Sequence, residues 1–219
     1  WFWETDRLLL LLLAVLGGIG QIAVAAASPA AAERYSGGSV RFAELHYFYR
    51  QIAWIALGIP VMIGLSMLSR ESAKRLSLFG AAFFFVLLIF VPVLGAEVNG
   101  ARRWIELGIG QLQPSEFLKP FFVVALAWLL SLREADKSLP VYSLSALLVG
   151  AVAFLLMQQP DFGSTIIFAA VWIALLALAG VSMRVLGGLA VAGVVGVVAA
   201  YFFYDRATAR IDGLLFGEG

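Results

Sequence analysis

The sequence predicts an all-α polytopic membrane protein with seven transmembrane helices, and three observations carry that prediction. Of 219 residues, 62% are hydrophobic and only 13% charged, against roughly 25% charged in an ordinary soluble domain. Residues 8–27, 51–69, 76–96, 138–160, 162–183 and 185–204 contain no Asp, Glu, Lys or Arg, and a bilayer core takes about 20 apolar residues in a helix. A further apolar run after Lys119 reaches only Leu132. It is too short to cross alone, and long enough once extended back to Pro114.

The first span covers residues 8–27 and is too long for a signal peptide's apolar core, given the spans that follow. A polar connector, residues 28–46, leads to the second span at 48–69. There His46 sits beside Tyr47 and Tyr49 as an interfacial aromatic cluster. The third span, 76–95, runs into a loop at 96–113. The fourth, 114–132, opens with Pro114, which suits a first helical position because its missing N–H is unpaired there anyway. The spans at 139–157, 162–181 and 185–204 complete one membrane domain over residues 1–219. Small residues at Ala14 and Gly18, and at Gly188 and Ala192, suit close helix packing. Lys and Arg divide seven to eight between the two sides, so charge bias gives no orientation.

Composition excludes several functions. Cysteine is absent and His46 is the single histidine, which removes thiol chemistry and multi-histidine metal centres. Net charge is +1, so no basic field points to nucleic acid. Glu116 and Asp161 are hard-oxygen groups of the kind a divalent cation (Mg or Mn) takes. Two carboxylates alone make no metal site, and no metal-ligand set is predicted.

Three motifs could carry chemistry. QPSEFLK (113–119) places Glu116 and Lys119 three residues apart on one helix face inside the apolar run. Pro120 follows, removes a backbone hydrogen bond and frees the carbonyl near Glu116. Such intramembrane charges form an interfacial ion pair or mark a substrate path. NGARRWIELG (99–108) joins a turn-forming Asn-Gly to Arg102, Arg103 and Trp104. Arginine forks match phosphate oxygens, and an interfacial belt is the alternative. In QQPDFGST (158–165), Asp161 reads as the N-cap of the sixth span, accepting from the amide of Gly163 or Ser164, or as a cavity-facing carboxylate. Its DFG triplet lacks the companion motifs of a kinase.

In this order and spacing, the three motifs resemble the SEDS family (shape, elongation, division and sporulation), the FtsW/RodA-like membrane proteins. The matching positions are Asn99, Gly100, Ala101, Arg103, Trp104, Gly108, Gln113, Pro114, Ser115, Glu116 and Lys119, then Gln159, Pro160, Asp161, Gly163 and one of Ser164 or Thr165. The family varies more at Arg102. WFWETDR and AASPAAAER look closer to the FtsW-type division proteins of alphaproteobacteria than to RodA.

The resemblance implies ten spans, of which seven are present, with cytoplasmic termini and residues 96–113 on the periplasmic side. It also implies a bacterial inner-membrane enzyme at the division septum that polymerises lipid II into glycan strands and releases undecaprenyl diphosphate. Implied partners are a class B penicillin-binding transpeptidase (FtsI-like) and other divisome membrane proteins. On this reading Glu116, Lys119 and Asp161 are candidate catalytic residues, and Arg102, Arg103, Trp104, Gln113 and Ser115 bind substrate. The family's general-base aspartate lies in a large periplasmic loop after the seventh span. With Trp1 in place of Met and LFGEG at the end, the chain reads as a fragment stopping inside that loop, inactive alone. A lipid II flippase and a non-catalytic divisome scaffold are alternatives that this pattern also fits.

Overall fold

The computed structural model describes residues 6–36, 43–98, 101–107 and 111–203. Asn99, Gly100 and Gly108 of the sequence motif lie outside the described residues. The chain forms two compact units, Trp1–Arg70 and Glu71–Gly219.

The first unit contains α1 (Arg7–Tyr35) and α2 (His46–Ser66). Asp6 caps α1, its carboxylate accepting from the amides of Leu8 at 2.8 Å and Leu9 at 3.2 Å. The helix outruns its expected end at residue 27 and absorbs the start of the polar connector, including Pro29. Its continuation is alanine-rich (Ala30, Ala31, Ala32), and alanine is the strongest helix former. Ser36 ends it by returning both its amide (3.0 Å) and its hydroxyl (2.6 Å) to the Ala32 carbonyl. The buried Ser28 hydroxyl donates to the Glu44 carbonyl at 2.7 Å, fixing the connector's far end against α1. His46 opens α2, edge-on to Tyr47 with centroids 5.3 Å apart.

The second unit holds α3 (Arg70–Leu94), β1 (Ala96–Val98), β2 (Ala101–Glu106), β3 (Gln111–Leu112), α4 (Pro114–Ala135), α5 (Val141–Gln158), α6 (Phe162–Leu178) and α7 (Met183–Phe203). On α4 the buried residues Leu118, Phe122, Leu126 and Leu130 recur every four positions, the stripe expected of a helix with one protein-facing side. The first three meet Leu88 of α3, Val152 and Leu156 of α5, and Phe168 of α6 in one core. A smaller core gathers Leu130, Val141, Leu176 and Leu186 toward the other end. Within the helices, the Trp172 indole donates to Ser145 Oγ at 3.0 Å, and Ser145 donates to the Tyr142 carbonyl at 2.9 Å.

Helices α1 to α5 are each long and apolar enough to cross a membrane, and the apolar stretches Phe162–Leu178 and Met183–Ala199 are shorter. Leu9, Leu16, Ile22, Phe79, Val93 and Leu178 are among many large apolar side chains left exposed, as suits helices solvated by lipid. The chain is a multi-pass membrane protein.

Three expectations are corrected. Residues 96–113 are not a plain loop but carry a three-stranded antiparallel sheet in the order β1-β2-β3. Helix α6 stops at Leu178 rather than 181. Gly180 takes a φ of 77°, the amide of Val181 bonds the Leu176 carbonyl, and that of Gly180 bonds the Ala177 carbonyl. This is a Schellman termination, in which a left-handed glycine ends the helix. Finally, the close packing expected at Gly18 and Gly188 is not found among the described residues, because a Cβ at either would meet nothing within 4 Å.

Gly180→Ala should therefore destabilise the protein by about 1–2 kcal/mol, the cost of a left-handed non-glycine residue. Thermal unfolding in detergent micelles measures it. Gly188→Ala, which meets open space, should leave the midpoint within error.

Candidate functional site

The charged stretch between α3 and α4 is organised by a hairpin with one extra residue. Glu97 pairs with Arg102 and Val98 with Ala101, but Ala96 pairs with Trp104. Arg103 is thus the unmatched residue of a β-bulge, a device that bends a strand and re-aims a side chain. Arg102, on the regular part of the ladder, stays exposed and meets Glu97 at 3.4 Å. Trp104, opposite Ala96, is half-buried.

The Arg103 side chain reaches the turn between α5 and α6. Its Nε donates to the Gln159 carbonyl at 2.9 Å, Nη2 donates to the Pro160 carbonyl, and Nη1 lies 3.9 Å from Asp161 Oδ1. A helix end leaves its last carbonyls without partners. A planar guanidinium, with donors along one rigid edge, can serve two carbonyls and a carboxylate together. The Arg103 and Asp161 side chains are 12% and 7% exposed, so the pair is largely withdrawn from solvent.

Asp161 performs several tasks at once. Oδ1 accepts from the Ser164 amide at 3.3 Å and caps α6, as the capping reading expected. Oδ2 accepts from Gln113 Nε2 at 3.3 Å, and the same amide group donates to Ser115 Oγ at 3.1 Å. Gln113 stands immediately before Pro114, so the α6 cap is tied to the start of α4.

Gln159 joins this network although sequence reasoning gave it no site role. It is 2% exposed, and its Nε2 donates to the Leu88 carbonyl at 3.1 Å. The reason lies four residues on in α3. Pro92 has no N–H, so the Leu88 carbonyl lacks its helical donor. Gln159 supplies one from 71 residues away in sequence. The signal was present as Pro92 itself, an interior proline with an orphaned acceptor one turn back.

Glu116 and Lys119 form a separate feature on the first turns of α4. Their ion pair is 2.7 Å long, with side chains 53% and 23% exposed. Lys119 also lines a cavity of about 320 Å³ with Pro120, Val123, Ile167, Phe168 and Val171. The predicted residues therefore divide three ways: Arg103, Gln113, Ser115 and Asp161 in the buried network, Glu116 with Lys119 as an accessible pair, and Arg102 and Trp104 on the hairpin. The two carboxylates considered for a divalent ion hold different partners, and no cluster of three or more His, Cys, Asp or Glu suited to a metal occurs among the described residues.

The family model for FtsW/RodA/SpoVE, described as "Cell cycle protein", matches residues 6–215. The chain belongs to this family. It is similar to the "Probable peptidoglycan glycosyltransferase FtsW" of Caulobacter vibrioides, 31% identical over 98% of this chain and 54% of that protein. It is likewise similar to the protein of the same description from Alkalilimnicola ehrlichii, 33% identical over 96% and 53%. The chain spans about half the length of these curated relatives. Among solved structures it resembles one described as "Structural coordination of polymerization and crosslinking by a peptidoglycan synthase complex", with a TM-score of 0.73 and 28% identity over 99% of this chain and 60% of that one. The rod shape determining protein RodA of Thermus thermophilus matches with a TM-score of 0.58 and 31% identity over 80% and 58%.

In this FtsW/RodA/SpoVE chain the buried network should behave as one unit. Asn caps helices as well as Asp does, so Asp161→Asn reports lost charge rather than a lost cap. Asp161→Asn and Arg103→Gln should each cost about 3–5 kcal/mol, and the double variant much less than their sum, because each single change strands a buried partner. Gln159→Leu should cost about 1–3 kcal/mol by leaving the Leu88 carbonyl unsatisfied. Unfolding midpoints of the four proteins in micelles check both statements.

Proposed function

We propose that the complete gene product is a peptidoglycan glycosyltransferase of the bacterial inner membrane that polymerises lipid II at the division septum. Its working partner is a class B penicillin-binding transpeptidase, alongside other divisome membrane proteins. The observation that carries the reading is Lys119. Its ammonium is held by Glu116 at 2.7 Å and borders a cavity otherwise walled by apolar residues and Pro120. A cation beside an apolar slot at a membrane helix start suits a diphosphate joined to a polyprenyl chain. The names of the relatives at 31% and 33% identity support the same activity.

In the proposed reaction, a hydroxyl of the acceptor sugar attacks the anomeric carbon of the donor. The new C–O bond forms as the bond to the diphosphate breaks, and undecaprenyl diphosphate leaves with the electron pair. A carboxylate accepts the hydroxyl proton. The resemblance puts that base downstream of Gly219. Lys119 stabilises charge growing on the diphosphate, while Glu116, 2.7 Å away, orients its ammonium. Arg102 and Trp104 on the hairpin contact headgroup and sugar. Arg103, with its donors on the α5–α6 turn, acts as a positioning residue together with Asp161, Gln113 and Ser115.

Polymerisation of purified lipid II by the complete gene product with its transpeptidase partner tests the assignment. Lys119→Ala should lower kcat by about 10²–10³-fold, the cost of removing one stabilising group from a developing anion. Arg103→Ala should fail in stability and activity together. Near-normal glycan chains from both variants would overturn the roles. A liposome format scoring translocation separately should show polymer forming without dependence on flipping. The opposite result would make the protein a transporter.

A further inference from the structure

The end of the second unit away from the hairpin carries a polar cluster that glycosyl transfer does not use. Helix α4 runs 22 residues from Pro114 to Ala135, so its two ends lie roughly 33 Å apart. At the far end, two cavities of about 620 and 560 Å³ share Arg133 and Tyr142 in their walls. Arg133 Cζ stands 4.6 Å from the Tyr142 ring centroid. A guanidinium stacked on a ring keeps its N–H donors free along the edge.

The surrounding charges leave this guanidinium available. Arg133 and Lys137 both line the larger cavity, and neither is in an ion pair among the described residues. Glu134 lines the same wall. The Asp136 carboxylate is occupied, accepting from the Ser138 amide at 2.8 Å and hydroxyl at 2.6 Å. The Ser138 hydroxyl first, then its amide, holds the Asp136 carboxyl below the usual range. Helix α5 begins beside this point and puts Tyr142 of its first turn into the cavity wall. The rest of the wall is apolar: Leu130, Leu175 and Leu178 line the cavity, and Leu178 is 85% exposed. One cavity thus offers cations at the helix ends and a greasy side open to the lipid-facing surface.

We propose that this cavity holds an anionic glycerophospholipid, its phosphate on Arg133 and Lys137 and the upper part of its acyl chains against Leu130, Leu175 and Leu178. Basic pockets between membrane helices bind such headgroups, and the apolar wall selects the lipid over a free phosphate. The site is independent of the glycosyltransferase reading, lying at the other end of α4.

Native mass spectrometry of the complete gene product, incubated in turn with phosphatidylglycerol, phosphatidylcholine and inorganic phosphate, tests it. Phosphatidylglycerol should be retained preferentially, and Lys137→Gln should weaken retention about fivefold, one cation's share of headgroup attraction. Arg133→Gln should weaken it further, with the melting temperature in phosphatidylcholine unchanged. Lys137 is exposed in a turn, so its variant gives a result even if Arg133→Gln unfolds. Equal retention of both lipids, unchanged retention in Lys137→Gln, or displacement of phosphatidylglycerol by millimolar phosphate would each overturn the proposal.

Discussion

The hairpin end of the second unit depends on Arg103 reaching the turn between α5 and α6. That turn brings two carbonyls and a carboxylate, those of Gln159, Pro160 and Asp161, to a place with little solvent to satisfy them. A lysine would offer a single point of charge, whereas the guanidinium provides separate donors in a fixed plane. Once the turn is held, its side chains are free for other work. Asp161 caps α6 and takes the Gln113 amide at the head of α4, and Gln159 faces inward to α3. Five elements, β2 and α3 to α6, are joined in this one network, and the bulge in β2 aims the guanidinium at its centre.

The charges of the site fall into two physical regimes. Arg103 and Asp161 are nearly solvent-free, where an uncompensated partner is expensive and geometry is correspondingly rigid. Glu116 and Lys119 are accessible, so their pairing adds little stability and leaves both groups open to other partners. A rigid polar frame with an adaptable pair beside it is the arrangement expected where a charged ligand must be oriented without the scaffold yielding.

Much of this was legible in the sequence. Uncharged runs located the helices, the length argument brought Glu116 and Lys119 into a span, and the capping role of Asp161 followed from its residue type. The misreadings have specific causes. Residues 28–46 read as a polar connector, while the alanines after Pro29 sustain α1. Ala179-Gly180-Val181 continues an apolar run, which hid a glycine termination. The strands around Asn99-Gly100 are too short to show alternation, although that dipeptide is a strong hairpin signal. The bond from Gln159 to Leu88 joins residues 71 apart, and no local periodicity encodes such a pairing.

Pro92 has a consequence beyond its unpaired carbonyl. Helices packed by apolar contact in lipid meet over surfaces that look much alike from one turn to the next, so sliding by a turn changes little. A proline marks one position along α3 as unlike the others, because there a single acceptor awaits a donor from outside the helix. Gln159 reads that mark. The polar bond ties that one position along α3 to the α5–α6 turn, and so sets the register in which the Arg103 network meets the helix.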